Sequence, residues 1–327
     1  MKKLKIGRIT GYAFLALLLI LLLWIGYIYW ILPRVPIPDL KVEITPERIT
    51  RGKYLANHVT VCVDCHSTRD WSKFSGPLII GTEGKGGEKF DHAMGLPGEF
   101  YSMNITPYKL SDWSDGEIYR AIINGVGKGN KPLFPIMPYI FYRHLSAEDV
   151  YSIIAYIRTL PSIASQVPDS KADFPVNIIM HTFALPADPM PSPSKSDTVN
   201  RGKYLVTVAG CKDCHTPYVK NKLDEKMAFA GGREFKLPSG TLLGANITPD
   251  METGIGSWTE EKFVKRFKTY DLATYSPPVL DKEDLMTVMP WTMYAGMDTT
   301  DLKAIYAYLK TLAPVKNSVT WWSPSSN

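Results

Sequence analysis

Two copies of one short run, Cys-x-x-Cys-His, constrain this chain more than any other feature of its 327 residues. Cys62-Val63-Asp64-Cys65-His66 returns as Cys211-Lys212-Asp213-Cys214-His215. The run is the attachment sequence for a c-type haem. Two thiols one helical turn apart can each add to a porphyrin vinyl group, and the adjacent histidine then reaches the iron. Four cysteines could instead form two disulfides, but that leaves both histidines without a reason. A shared zinc site is opposed by the 149-residue offset between the pairs, which lie in separate repeats. The sequence therefore predicts two covalently attached haem c groups, on Cys62 and Cys65 and on Cys211 and Cys214, with His66 and His215 as iron ligands.

What surrounds the motifs also recurs. Arg51-Gly52-Lys53-Tyr54-Leu55 matches Arg201-Gly202-Lys203-Tyr204-Leu205, Asn104-Ile105-Thr106-Pro107 matches Asn246-Ile247-Thr248-Pro249, and Trp113 matches Trp258. Met137-Pro138-Tyr139 returns as Met289-Pro290-Trp291, and the run from Ala155 to Leu160 returns from Ala307 to Leu312. The order is kept and the offset drifts only between 142 and 152 residues. This is the signature of a duplicated unit with small insertions in its loops.

A second axial ligand must come from twelve methionines, most of which serve as flexible core filler. Met137 and Met289 align, follow their histidines by 71 and 74 residues, and each precede Pro and an aromatic. Met103 faces Ala245 in its twin, and Met94 and Met180 have no counterpart. Met137 and Met289 are therefore the expected sixth ligands. His58, His92, His144 and His181 lack matching histidines and read as surface or loop residues; His58 and His92 lie nearest the first motif.

Helical periodicity dominates each repeat. Val150, Ile153, Ile154, Ile157 and Leu160 recur at helical spacing behind Ser146 and Asp149, as do Leu302, Ile305, Tyr306, Leu309 and Leu312 in the twin. Thr45-Pro46-Glu47 opens a first helix, and Ser114 with Glu117 caps a shorter middle one ending near Gly125. No alternation persists long enough to predict a sheet, so the expected fold class is all-α. Two domains are expected, at residues 45–165 and 196–320, joined by a Pro-rich linker at 166–195.

Ahead of the repeats, Gly11 to Leu32 is uncharged and rich in Leu, Ile and aromatics. Twenty-two residues at 1.5 Å each give roughly 33 Å, enough to cross a bilayer core of about 30 Å. Lys2, Lys3, Lys5 and Arg8 precede it, predicting a cytoplasmic N-terminus. Leu32-Pro33-Arg34-Val35-Pro36 offers no small-residue cleavage site, which favours an uncleaved anchor over residues 1–34. The prolines from Pro33 to Pro38 read as a stiff spacer. Everything beyond is expected on the periplasmic side. The repeats themselves are nearly neutral, with thirteen Lys/Arg against eleven Asp/Glu in residues 48–160 and sixteen against fifteen in 196–320. No basic domain exists to bind nucleic acid.

Taken together, each repeat resembles a class I cytochrome c domain, on the C-x-x-C-H run, the helix-opening glycine (Gly52, Gly202) and the C-terminal-helix aromatic (Tyr156, Tyr308). The Asn-Ile-Thr-Pro, Trp and Met-Pro-aromatic segments resemble the cytochrome c subunits of membrane-bound alcohol and gluconate dehydrogenases. Those subunits usually carry three haem domains, and this chain has two. The resemblance implies that Asn104, Asn246, Trp113 and Trp258 contact haem propionates. It also implies electron relay between a dehydrogenase or quinol-oxidising complex and an oxidase or soluble carrier. The rival from another class is a dihaem peroxidase, which gives its two haems different distal ligands; here both repeats offer the same element. Lys262, Lys265, Arg266 and Lys268 read as a solvated helix face, with docking of an acidic partner as the alternative.

Overall fold

The computed structural model describes residues 2–220 and 222–324, with side chains from Ile9 onward. The basic cluster at Lys2, Lys3, Lys5 and Arg8, on which the expected orientation of the anchor rests, lies outside the described side chains. Helices follow the order α1 (Lys2–Ile31), α2 (Pro46–Tyr54), α3 (Cys62–Cys65), α4 (Pro107–Leu110), α5 (Asp115–Asn124), α6 (Tyr139–Tyr142) and α7 (Ala147–Arg158). They continue with α8 (Val176–Ile179), α9 (Thr198–Val208), α10 (Cys211–Cys214), α11 (Glu260–Lys268), α12 (Trp291–Tyr294) and α13 (Thr299–Leu309).

The stretch Ile9–Ile31 of α1 is long and apolar enough to cross a bilayer. Most of its Leu, Ile and aromatic side chains are exposed, whereas Ile28 is buried near the end of the helix.

Each repeat is built on a helix crossing. α2 starts at Pro46, with the Thr45 hydroxyl accepting from Arg48 N, and lies across α7; α9 lies across α13 in the same way. A Cβ on Gly52 would overlap the Ser152 carbonyl, and one on Gly202 the Ala304 carbonyl. Only glycine allows the backbones this close. Leu55, Val59, Ile153, Ile154 and Leu205, Leu302, Leu309 fill the core around the crossings.

After Tyr54 the first repeat departs from its twin. Leu55–Val59 is a π-turn, with Thr60 N donating to Leu55 O at 2.8 Å, whereas α9 runs on as α-helix. Arg51 to Cys62 is one residue longer than Arg201 to Cys211, and a π-turn absorbs one inserted residue without ending a helix.

The two repeats are joined by a reciprocal bond set. Arg51 pairs with Asp149 at 2.8 Å and Arg201 with Asp301 at 2.5 Å, each within its own repeat. Across the boundary, Tyr204 Oη donates to Asp149 Oδ2 at 2.5 Å and Tyr54 Oη to Asp301 Oδ2 at 2.6 Å. The recurring Arg-Gly-Lys-Tyr run thus supplies a cation to its own repeat and a hydroxyl to the other.

The all-α expectation needs correction. Among the described residues there are three small antiparallel sheets, formed by β1 (Lys89–Phe90), β2 (Gly98–Tyr101) and β3 (Lys171–Ala172), by β4 (Tyr218–Val219) and β5 (Lys222–Leu223), and by β6 (Glu234–Leu237), β7 (Gly240–Leu243) and β8 (Trp322–Pro324). Their strands are two to four residues long, too short for a period of two to stand out. The segments read as spacer and linker also do not stand free. Arg120 donates to Val35 O and Val42 N to Asp115, and Gly116 packs on the Pro38 carbonyl. β3 pairs with β2, and Asn124 donates to Leu185 O. Both segments are strapped along the first repeat, satisfying backbone groups that a loose tether would leave to water.

Candidate haem sites

Each Cys pair occupies one turn of helix, α3 or α10, placing both thiols on one side of the chain. None of the four is disulfide-bonded. Burial pushes the thiols of Cys65, Cys211 and Cys214 up to about 12. Among the described residues, no three His, Cys, Asp or Glu side chains converge as a cage for a metal ion.

The histidines are held identically. His66 Nδ1 lies 2.7 Å from Met103 O, and His215 Nδ1 lies 2.7 Å from Ala245 O. A carbonyl can only accept, so Nδ1 carries the proton and Nε2 keeps its lone pair. Burial lowers both imidazole pKa values, which keeps the rings neutral, as a metal ligand requires. Met103 and Ala245 share the position because it works through its backbone. Behind each histidine, Gly86 N donates to His66 O and Gly231 N to His215 O, both at 2.8 Å. These glycines have φ of +72° and +80°, and a Cβ on either would strike the backbone nitrogen of Asn104 or Asn246.

A cavity of about 1340 Å³ opens in front of the first motif. It exceeds the roughly 300–1,000 Å³ of a site for one small ligand. Cys62, Cys65, His66, Met137, Asn104 and Trp113 all line it, and from the second motif Cys214 does. Cys211, His215, Met289, Asn246 and Trp258 are not among its lining residues, although Val288 and Pro290 beside Met289 are. Met137 and Met289 are half-buried and pack on the core. Each begins an inverse γ-turn: Tyr139 N donates to Met137 O and Trp291 N to Met289 O, both at 2.8 Å, around Pro138 (ψ 47°) and Pro290 (ψ 66°). Proline fixes the φ this turn needs. Two thiols, an imidazole with a free Nε2 and a thioether lining one cavity are a donor set that fits a covalently held haem.

The asparagines are held by hydrogen bonds within the chain. Asn104 donates to Ile163 O at 2.8 Å, and its Oδ1 accepts from Thr106 N and Oγ1. Asn246 does the same with Val315 O and Thr248. Their carboxamides tie the loop to the chain that leaves the last helix, so they are engaged internally. Lys262 lies 4.7 Å from the Trp258 ring centre, Arg266 stacks on Tyr270 and Trp291, and Lys268 donates to Ala295 O and Met297 O. Three of the four cations on α11 are thus used within the second repeat.

Of the remaining histidines, His58, His92 and His144 do not line the cavity, and all four are hydrogen-bonded. His58 Nδ1 donates to Met293 O at 2.8 Å across the repeat boundary, and His92 pairs with Asp173 at 2.7 Å on the surface. His144 donates to Asp188 O. His181 lines the far end of the cavity and donates to Leu32 O.

Sequence reasoning missed four lining residues. Tyr142 Oη donates to Thr60 O at 2.5 Å and Tyr294 Oη to Ala209 O at 3.3 Å. Each tyrosine follows its methionine by five residues, a recurrence that was available in the sequence. Arg69 bridges Asp64 and Glu88 at 2.9 Å, with burial pushing Asp64 up to about 6 against the pull of that guanidinium. Its Nε is buried without a partner. In the second repeat the cation comes from Arg233 instead, 3.7 Å from the Tyr218 ring centre, while Tyr218 Oη donates to Asp213.

No protein-family model matches the chain. Among curated proteins it is similar to the cytochrome c subunit of a quinone-dependent alcohol dehydrogenase from Gluconacetobacter polyoxogenes, 28% identical over 289 residues, 83% of this chain and 57% of that protein. The gluconate 2-dehydrogenase cytochrome c subunit of Pantoea cypripedii is 27% identical over 288 residues, 83% of this chain and 61% of its own length. A dihaem cytochrome c-type protein of Cereibacter sphaeroides is 30% identical over 206 residues, 58% of this chain and 63% of the relative. The resemblance to dehydrogenase cytochrome c subunits therefore extends over most of this chain, which spans about three fifths of the length of those relatives.

Proposed function

We propose that the chain is a membrane-anchored dihaem cytochrome c that relays electrons on the extracytoplasmic side. Residues 1–34 would form the cytoplasmic N-terminus and anchor, 45–165 and 196–320 the two haem domains, and 166–195 the strap between them. The observation that carries the reading is the matched setting of His66 and His215, each with Nδ1 tied to a carbonyl and Nε2 left for iron. Cys62, Cys65, Cys211 and Cys214 would hold the groups covalently, and Met137 and Met289 would complete their coordination. Haem c supplies one-electron oxidation and reduction at its iron.

The chain's own part is to fix ligands and limit solvent. Methionine as sixth ligand raises the reduction potential, and two filled coordination positions leave none for peroxide, which opposes the peroxidase reading. The relatives' names point to a dehydrogenase as donor; an oxidase or soluble carrier would be the acceptor. The test is cofactor content with ligation. Full-length protein from cells with haem-attachment machinery should retain two haems per chain after acid–acetone extraction and show low-spin spectra at both. Apoprotein of unmodified mass would end the reading, and peroxide turnover at enzymatic rates would move it to the peroxidase.

A further inference from the structure

From Phe174 to Ala187 the chain carries no Lys, Arg, Asp or Glu, and Asp173 and Asp188 bound this run. This linker segment folds against the end of the anchor. α8 and the turn Met180–Thr182 both pack on α1. His181 Nδ1 donates to Leu32 O at 2.8 Å, and its ring centre lies 5.2 Å from that of Tyr29. The segment is therefore fixed at the level where α1 ends and where Trp24, Tyr27, Tyr29 and Trp30 cluster.

The outer side of this segment is apolar. Phe174 is 79% exposed and Ile179 45%, beside Trp30 at 80%. A water-facing strap would carry charge there; the flanks do, at Lys171 and Asp173, but the middle does not. Aromatic and uncharged side chains at the end of a span favour the headgroup boundary of a bilayer. We propose that residues 174–183 form a second membrane contact, resting Phe174 and Ile179 in the leaflet into which α1 emerges. The lipid surface is the occupant because the patch is continuous with the helix that would cross it; the inference rests on the reading of α1 as a span. Two contacts would restrict tilting of the first repeat about the single anchor, holding its cavity at a set height above the membrane.

The unmodified full-length holoprotein provides the test. It is reconstituted into phosphatidylethanolamine/phosphatidylglycerol vesicles containing a phospholipid with a diazirine on its acyl chain, irradiated, and mapped by peptide mass spectrometry. Labelling of α1 and of 174–183, each several-fold above the peptide 310–320, is the expected result. Labelled α1 with unlabelled 174–183 would overturn the inference and leave the anchor standing; dimers in those vesicles would assign the patch to a second copy of the chain. Unlabelled α1 would overturn the anchor reading itself and this inference with it.

Discussion

Tyr204 donates a 2.5 Å hydrogen bond to Asp149, a carboxylate that Arg51 already holds through both oxygens. The pair closes over the boundary between the repeats, and Tyr54 with Asp301 closes it again in the opposite sense. Both carboxylates are buried. A hydroxyl bonded to a charged group contributes about 1.5–3 kcal/mol. Tyr204→Phe should therefore destabilise by that amount, measured by chemical unfolding of the holoprotein in detergent. Asp149→Ala should cost more, about 3–5 kcal/mol, since it strands a mostly buried guanidinium as well. Equal effects of the two variants would show that the cation contributes nothing at this joint.

The second tyrosine pair gives a graded prediction. Tyr142 Oη ties the segment after Met137 to the carbonyl two residues before Cys62, at 2.5 Å; Tyr294 makes the equivalent bond at 3.3 Å. The tighter bond fixes the spacing between Met137 and Cys62 more firmly. Tyr142→Phe should cost about 1 kcal/mol and lower the temperature at which the near-infrared thioether–iron(III) band is lost. Tyr294→Phe should move it less. A larger effect from Tyr294 would rule out bond length as the cause.

These bonds mark where the sequence stops being informative. The Arg-Gly-Lys-Tyr run was visible as a repeat, yet its tyrosines bind carboxylates 55 and 247 residues away, which no local pattern encodes. The extra residue between Arg51 and Cys62 could be counted, but not its form as a π-turn. Met103 opposite Ala245 looked like a mismatch because side chains were compared, whereas the histidines use the carbonyls. The helices were legible from their periodicity and capping residues; strands of two to four residues were not. The prolines that suggested a free spacer are compatible with a strap, and only the partners Arg120 and Asp115 reveal one.

The π-turn also sets a pH dependence. It carries His58, whose Nδ1–H donates to Met293 O while Tyr54, Lys53, Lys268 and Asp298 surround it. Burial, reinforced by the two lysines, lowers its pKa below the ordinary value of about 6.5. The unfolded chain then binds a proton that the folded chain refuses, so stability falls as pH drops from about 6.5 towards the depressed folded value. His58→Gln should remove that component and flatten the unfolding midpoint over this window. An unchanged slope would mean that other groups carry the acid sensitivity.

The ligand assignment can be tested most sharply at the methionines. Met137 lines the same cavity as Cys62, Cys65 and His66, and its carbonyl is pinned by the turn around Pro138. Met289 has the same turn, with Ser75 of the first repeat donating to its carbonyl at 2.7 Å. Replacing a sixth ligand by Ala opens one iron position and removes the thioether that raises the potential. Met137→Ala and Met289→Ala should each lose about half of the near-infrared band and gain a high-spin signal, and the double variant should lose the band. If Met137→Ala leaves the spectrum unchanged, His58 and His92 are poor substitutes, since one is bonded across the repeat boundary and the other to Asp173. Met94, Met103 and Met180 line the same cavity, and the variant that then abolishes the first haem's band would identify the ligand.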